Sequence, residues 1–168
     1  MFTRALSALL LAAGLAAPVA AQPPTVFLVR HAERADSTPG TSPAMAADPD
    51  LSEAGRARAE SLAVALKDAN ITAIYVTEFK RTQQTAAPLA KVLGLTVKIV
   101  TSKSTPELLK QLQASKGNVL VVGHSNSVPD VIKGLGVTAP VTIGDNEFDN
   151  MFLVTRGPAA SLLRLHYR

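Results

Sequence analysis

Three histidines occur in the 168 residues, and two of them stand directly after runs of large apolar residues. The first run, Val26-Phe27-Leu28-Val29, leads into Arg30-His31-Ala32-Glu33; the second, Val119-Leu120-Val121-Val122, leads into Gly123-His124-Ser125-Asn126. Continuous apolar runs of this length, rich in β-branched residues, read as strands buried on both faces and therefore as neighbours in a parallel sheet. In open α/β sheets ligands bind in the crevice beyond the carboxyl ends of the strands, so each histidine is placed for chemistry. A further strand, Ala73-Ile74-Tyr75-Val76, leads into Thr77-Glu78-Phe79-Lys80-Arg81-Thr82-Gln83-Gln84-Thr85-Ala86 and adds a second arginine. Three strand ends thus bring together two permanent cations and two imidazoles. The formal net charge of +4, without any Lys/Arg run, argues against a nucleic-acid surface. It suits the steering of an anionic substrate.

In this order, and from about Val26 to the C-terminus, the motifs resemble those of the histidine phosphatase superfamily, the phosphoglycerate mutase-like phosphatases. Arg30-His31-Ala32-Glu33 stands for the family's Arg-His-Gly-Glu; Thr77, Arg81 and Gln84-Thr85-Ala86 match its middle motif; Gly123-His124-Ser125 matches its last. The resemblance implies a phosphatase that hydrolyses phosphomonoesters through a phosphohistidine. His31 would be the nucleophile, its reacting nitrogen unprotonated and its other N–H held by a carbonyl or carboxylate. Arg30 and Arg81 would bind the phosphoryl oxygens through planar, permanently charged forks. His124, expected as an imidazolium, would add a hydrogen bond, helped by the N-terminus of the next helix. Ser37, six residues after His31, is carried over as a further phosphate contact. Glu107 follows Arg81 at the distance where many members carry the proton donor, with Glu33, Glu78 and Asp145 as rivals. Glu107 also fits an ordinary first helical turn. A small member without a dedicated carboxylic acid would be limited to good leaving groups. Two alternatives remain on the same fold: a non-catalytic phosphate-binding or interaction protein, and a phosphomutase, which needs a closed site that keeps water out.

No cofactor is expected, and no metal. Asp48, Asp50 or Asp145 could join the histidines as ligands, but no two histidines have helical metal-ligand spacing, and two arginines oppose a dication. The expected partner is a small phosphorylated substrate.

The elements that must position these residues predict an α/β fold: a three-layer α/β/α sandwich around a mostly parallel central sheet. Residues 1–21 read as a secretory signal peptide: Arg4, the Ala/Leu run Ala5 to Ala17, and Val19-Ala20-Ala21 before Gln22. Residues 22–168 then form one domain, exported to the periplasm or secreted, with no stable membrane insertion after cleavage. The absence of cysteine excludes disulfides and leaves stability to the core. Arg34 to Asp50 reads as a loop, for most of its length a simple connection, with the alternative that it forms one wall of the site mouth. Ser52 caps a helix whose core stripe is Ala59, Leu62, Ala63 and Leu66, with Arg56, Arg58, Glu60 and Lys67 taken as solvated. Thr77 is expected to cap a helix that Pro88 kinks or delays and Gly94 stops. A strand over Leu95 to Val100, a helix over Pro106 to Ala114 capped by Thr105, and a helix over Val128 to Lys133 follow. Met151 to Val154 and Ser161 to Tyr167 read as a closing pair of strands, with His166 on the surface.

Overall fold

The computed structural model describes residues 23–37, 48–157 and 159–168. The expected signal peptide, and residues 38–47 of the loop after His31, lie outside them. The elements run β1 (Thr25–Arg30), a 3-10 turn (Ala35–Ser37), α1 (Glu53–Leu66), β2 (Ile71–Val76), α2 (Lys80–Leu93), β3 (Lys98–Ile99), α3 (Thr105–Ala114), β4 (Asn118–Gly123), α4 (Ser127–Gly134), β5 (Asn150–Thr155) and β6 (Ser161–His166). One six-stranded sheet has the order β3-β2-β4-β1-β5-β6. The first four strands in that order are parallel, while β5 runs antiparallel to β1 and β6 to β5. The two histidine-bearing strands are neighbours, with Arg30 opposite Gly123.

Strand β1 lies at the centre and is buried on both faces, which is why its sequence does not alternate. Phe27 and Val29 pack with Leu62 and Leu66 of α1 and Leu89 of α2. Val26 and Leu28 face the other way, against Leu112 of α3 and Val131 and Ile132 of α4. Each such side chain, fully buried, contributes roughly 1.5–3 kcal/mol. Helices therefore cover both faces, and the α/β sandwich expected from the sequence is the observed fold.

Several local expectations need correction. Ser52 does cap α1, accepting from the Gly55 N–H at 3.0 Å. Thr77, however, is buried against Thr82, their hydroxyl oxygens 2.9 Å apart, and Phe79 occupies the N-cap of α2. Thr105 is the first residue of α3, after Ser104 at the N-cap. Helix α2 continues through Pro88 and ends at Gly94, whose φ of 65° is left-handed, a conformation glycine adopts without penalty. The strand expected over Leu95 to Val100 shrinks to Lys98–Ile99, two exposed residues on the sheet edge. Arg58 is not solvated: its guanidinium grips Glu33.

Candidate active site

The β1–β4 pairing continues one step past the strands, where the His31 N–H donates to the Gly123 carbonyl at 2.9 Å. His31 is 4% exposed. Its Nδ1 lies 2.8 Å from the Ala32 carbonyl. A carbonyl can only accept, so Nδ1 carries the proton and Nε2 keeps its lone pair. Burial pushes the imidazole down to about 3, with His124, Arg81 and Arg30 adding to the effect and the Ala32 carbonyl opposing it. The ring is neutral at ordinary pH.

His124 follows β4 and meets His31 edge-on, ring centroids 5.3 Å apart. Its backbone N–H donates to Ser127 Oγ at 3.0 Å, fixing the turn into α4. Arg81 Nη2 lies 2.9 Å from His124 Nε2. A guanidinium only donates, so Nε2 accepts, and this proton too is on Nδ1. Burial first, then Arg81, pushes His124 down to about 4. The expected imidazolium is therefore corrected: before any anion enters, His124 is neutral.

The two arginines are held by different means. Arg30 Nη1 donates to the carbonyls of Gly144, Asp145 and Glu147 at 2.9, 2.8 and 3.4 Å, and its guanidinium carbon lies 4.1 Å from the centre of the Phe148 ring. Arg81 stacks similarly on Phe79, at 4.2 Å. In both, Nε is buried, and among the described residues it has no hydrogen-bond partner. An unmet buried donor on a cation costs free energy unless an acceptor arrives, so both forks are suited to an incoming anion.

Thr85 joins α2 to the β1 exit: its hydroxyl accepts from the Ala32 N–H at 2.9 Å and donates to the Arg81 carbonyl at 2.7 Å. Glu33 is turned away from the histidines, bound by Arg58 Nε at 2.9 Å to both oxygens and by Nη2 at 2.7 Å. Gly55 packs so close beneath that a Cβ would lie 2.2 Å from the Glu33 carbonyl oxygen.

The sequence candidates thus divide. Arg30, His31, Arg81 and His124 converge; Glu107, Ser37 and the rival acids do not. Glu107 is exposed in the first turn of α3, its carboxylate accepting from Gln111 Nε2 at 3.0 Å. Ser37 closes the 3-10 turn, and none of the described contacts joins it to those four residues. Asp145 gives Arg30 its backbone carbonyl, and its carboxylate is the foremost charge supporting that guanidinium. Glu78 accepts from the Ser102 N–H and hydroxyl at 2.7 and 2.8 Å. Its slight burial raises the carboxyl, but hydrogen bonds from its own N–H and from Ser102 outweigh this and hold it below the usual range. Among the described residues no three His, Asp or Glu side chains converge on a possible metal position. The sequence reading missed Phe79, Phe148, Arg58 and the Gly144–Glu147 carbonyls; Thr85 stood inside the middle motif, but its bridging role was not seen.

An α/β sheet thus presents a buried neutral imidazole beside two arginine forks, each with an Nε–H that has no partner among the described residues. The sequence over residues 26–108 matches the model of the histidine phosphatase superfamily, branch 1, and this stretch is a domain of that superfamily. No curated protein matches the chain. Solved structures of the same fold include the protein histidine phosphatase SixA complexed with tungstate, 19% identical over 84% of this chain and 96% of that one, TM-score 0.62. A mycobacterial glucosyl-3-phosphoglycerate phosphatase is 15% identical, over 84% of this chain and 97% of that one, TM-score 0.64. A protein described as mycobacterial hydrolase 2 is 14% identical, over 84% and 89%, TM-score 0.66. At these identities the likeness is one of fold.

Proposed function

We propose that the protein is a phosphatase that hydrolyses phosphomonoesters through a phosphohistidine on His31. The observation that carries the reading is the buried His31 imidazole, whose proton is committed to the Ala32 carbonyl while Nε2 stays free beside two arginines with unmet Nε–H donors. In the reaction the Nε2 lone pair attacks phosphorus and the bond to the leaving oxygen breaks. Arg30 and Arg81 hold charge on the other phosphoryl oxygens throughout. Water then attacks the phosphohistidine, the N–P bond breaks with its electrons returning to Nε2, and inorganic phosphate leaves.

Entry of a phosphate dianion changes His124. The nearby negative charge favours the protonated ring, raising its low pKa, so His124 takes up its donor role with substrate present. Among the described residues the expected proton donor Glu107 is exposed and bound to Gln111, away from the histidines, and the reading therefore favours phosphates with good leaving groups, aryl phosphates above simple alkyl ones. The reading of residues 1–21 as an export signal supports a location outside the cytoplasm. Among the described residues no helix is long and apolar enough to cross a membrane.

The test is p-nitrophenyl phosphate hydrolysis in the presence of EDTA, with rapid-quench trapping of acid-labile phosphoprotein. The wild type should turn over and trap; His31→Ala should do neither, with a loss of at least about 10³-fold. Equal rates in the two proteins would sink the proposal.

A further inference from the structure

Asp48 stands apart from the four residues assigned to the phosphoryl group, yet it touches their frame. Its two carboxylate oxygens each accept from the Lys80 N–H at 3.0 Å, at the first turn of α2. One of them lies 3.6 Å from Arg81 Nη1, a charge contact slightly looser than a hydrogen bond. The N-cap residue Phe79 makes no side-chain capping bond, so the acceptor for this turn comes from elsewhere in the chain. The segment is fastened to α2 twice more: Asp50 accepts from Gln84 Nε2, and the Leu51 N–H donates to Gln84 Oε1, both at 2.8 Å.

The Arg81 guanidinium is thereby surrounded in a definite way. Phe79 covers one face, His124 takes a proton of Nη2, Asp48 holds Nη1, and Nε is unpartnered among the described residues. We infer that Asp48 is a positioning residue for Arg81, anchoring Nη1 so that Nε and Nη2 face the phosphoryl oxygens. This rests on the reading of the site as a phosphoryl site. Other charges act on Arg81, with Arg34 opposing it and Asp36 and Glu78 supporting it, but Asp48 is the strongest of the carboxylates and also binds its helix. A guanidinium free to rotate would meet the phosphoryl group in several geometries, and misplacements of about 1 Å are costly in rate.

A carboxylate so near an anion site also has an opposite potential role, as a competitor that repels or excludes substrate. The two roles differ in sign. Tungstate and inorganic phosphate are titrated calorimetrically into the wild type, Asp48→Asn and Asp48→Ser, with Tm and p-nitrophenyl phosphate kinetics on the same samples. Asn and Ser both keep an acceptor suited to a helix N-terminus. The positioning role predicts that both variants bind both anions on the order of tenfold more weakly and raise KM more than they lower kcat, with Tm little changed. Tighter anion binding would identify a competitor and overturn the inference. Unchanged affinity with a lowered Tm would reduce Asp48 to a helix cap and overturn it equally. In both cases the phosphoryl-site reading stands, whereas a wild type that binds neither anion removes that reading and the inference with it.

Discussion

Ala32 accepts the Nδ1 proton of His31, and Arg81 donates to Nε2 of His124, so the tautomers of two adjacent imidazoles are fixed by different neighbours. With folded values pushed down to about 3 and about 4, mainly by burial, both rings bind fewer protons folded than unfolded, where histidine titrates near 6.5. The sign follows from linkage: their contribution to stability is complete above about pH 6.5 and is lost as pH falls toward 4 and then 3. Thermal unfolding should show Tm declining across that window, and the decline should be smaller in His31→Gln; equal slopes would contradict the neutral assignment. The four converging residues were legible because each follows a strand that reads plainly as one. Protonation was not, since the state of His124 depends on a guanidinium 43 positions away in sequence. Arg58 was misjudged for a similar reason: on its own helix it looks like surface, and its partner Glu33 sits on the loop leaving β1.

At the scale of elements, the exit of β1 is clamped between α1 and α2. Thr85 holds the Ala32 N–H from α2; from the α1 side the Ser52 N–H donates to the Glu33 carbonyl at 2.9 Å, over the flat back of Gly55. Gly55→Ala places a methyl group against that carbonyl and should cost about 1–3 kcal/mol, read as a lower denaturation midpoint at unchanged m-value. Activity should fall with it, because the displaced loop carries His31. The core stripe of α1 and its Ser52 cap could be read from spacing alone. The start of α2 could not: Thr77 looks like a cap, but its hydroxyl is satisfied by Thr82 inside the fold. Nor could the shortness of β3, since an apolar run on a sheet edge needs only enough pairing to end there.

For the whole molecule, the excess of Lys and Arg adds to the local field of Arg30 and Arg81, and a dianionic substrate should be steered inward. Raising ionic strength from about 0.01 to 0.15 M should lower kcat/KM for p-nitrophenyl phosphate several-fold while kcat changes little, given that screening acts on the approach. No dependence on salt would locate the attraction entirely in the buried pocket. The three-layer plan was legible from the alternation of apolar runs and striped helices; the contribution of the Gly144–Glu147 turn was not, because backbone carbonyls leave no mark in a sequence. That turn has a consequence in time. A chain made from its N-terminus produces Arg30 and His31 early, but the carbonyls that aim Arg30 belong to the turn before β5, and β5 closes the open side of β1. His31 is thus synthesised well before the turn that aims its neighbouring cation, so a ribosome-bound or truncated chain lacking the residues from Gly144 onward carries His31 without Arg30 held in place.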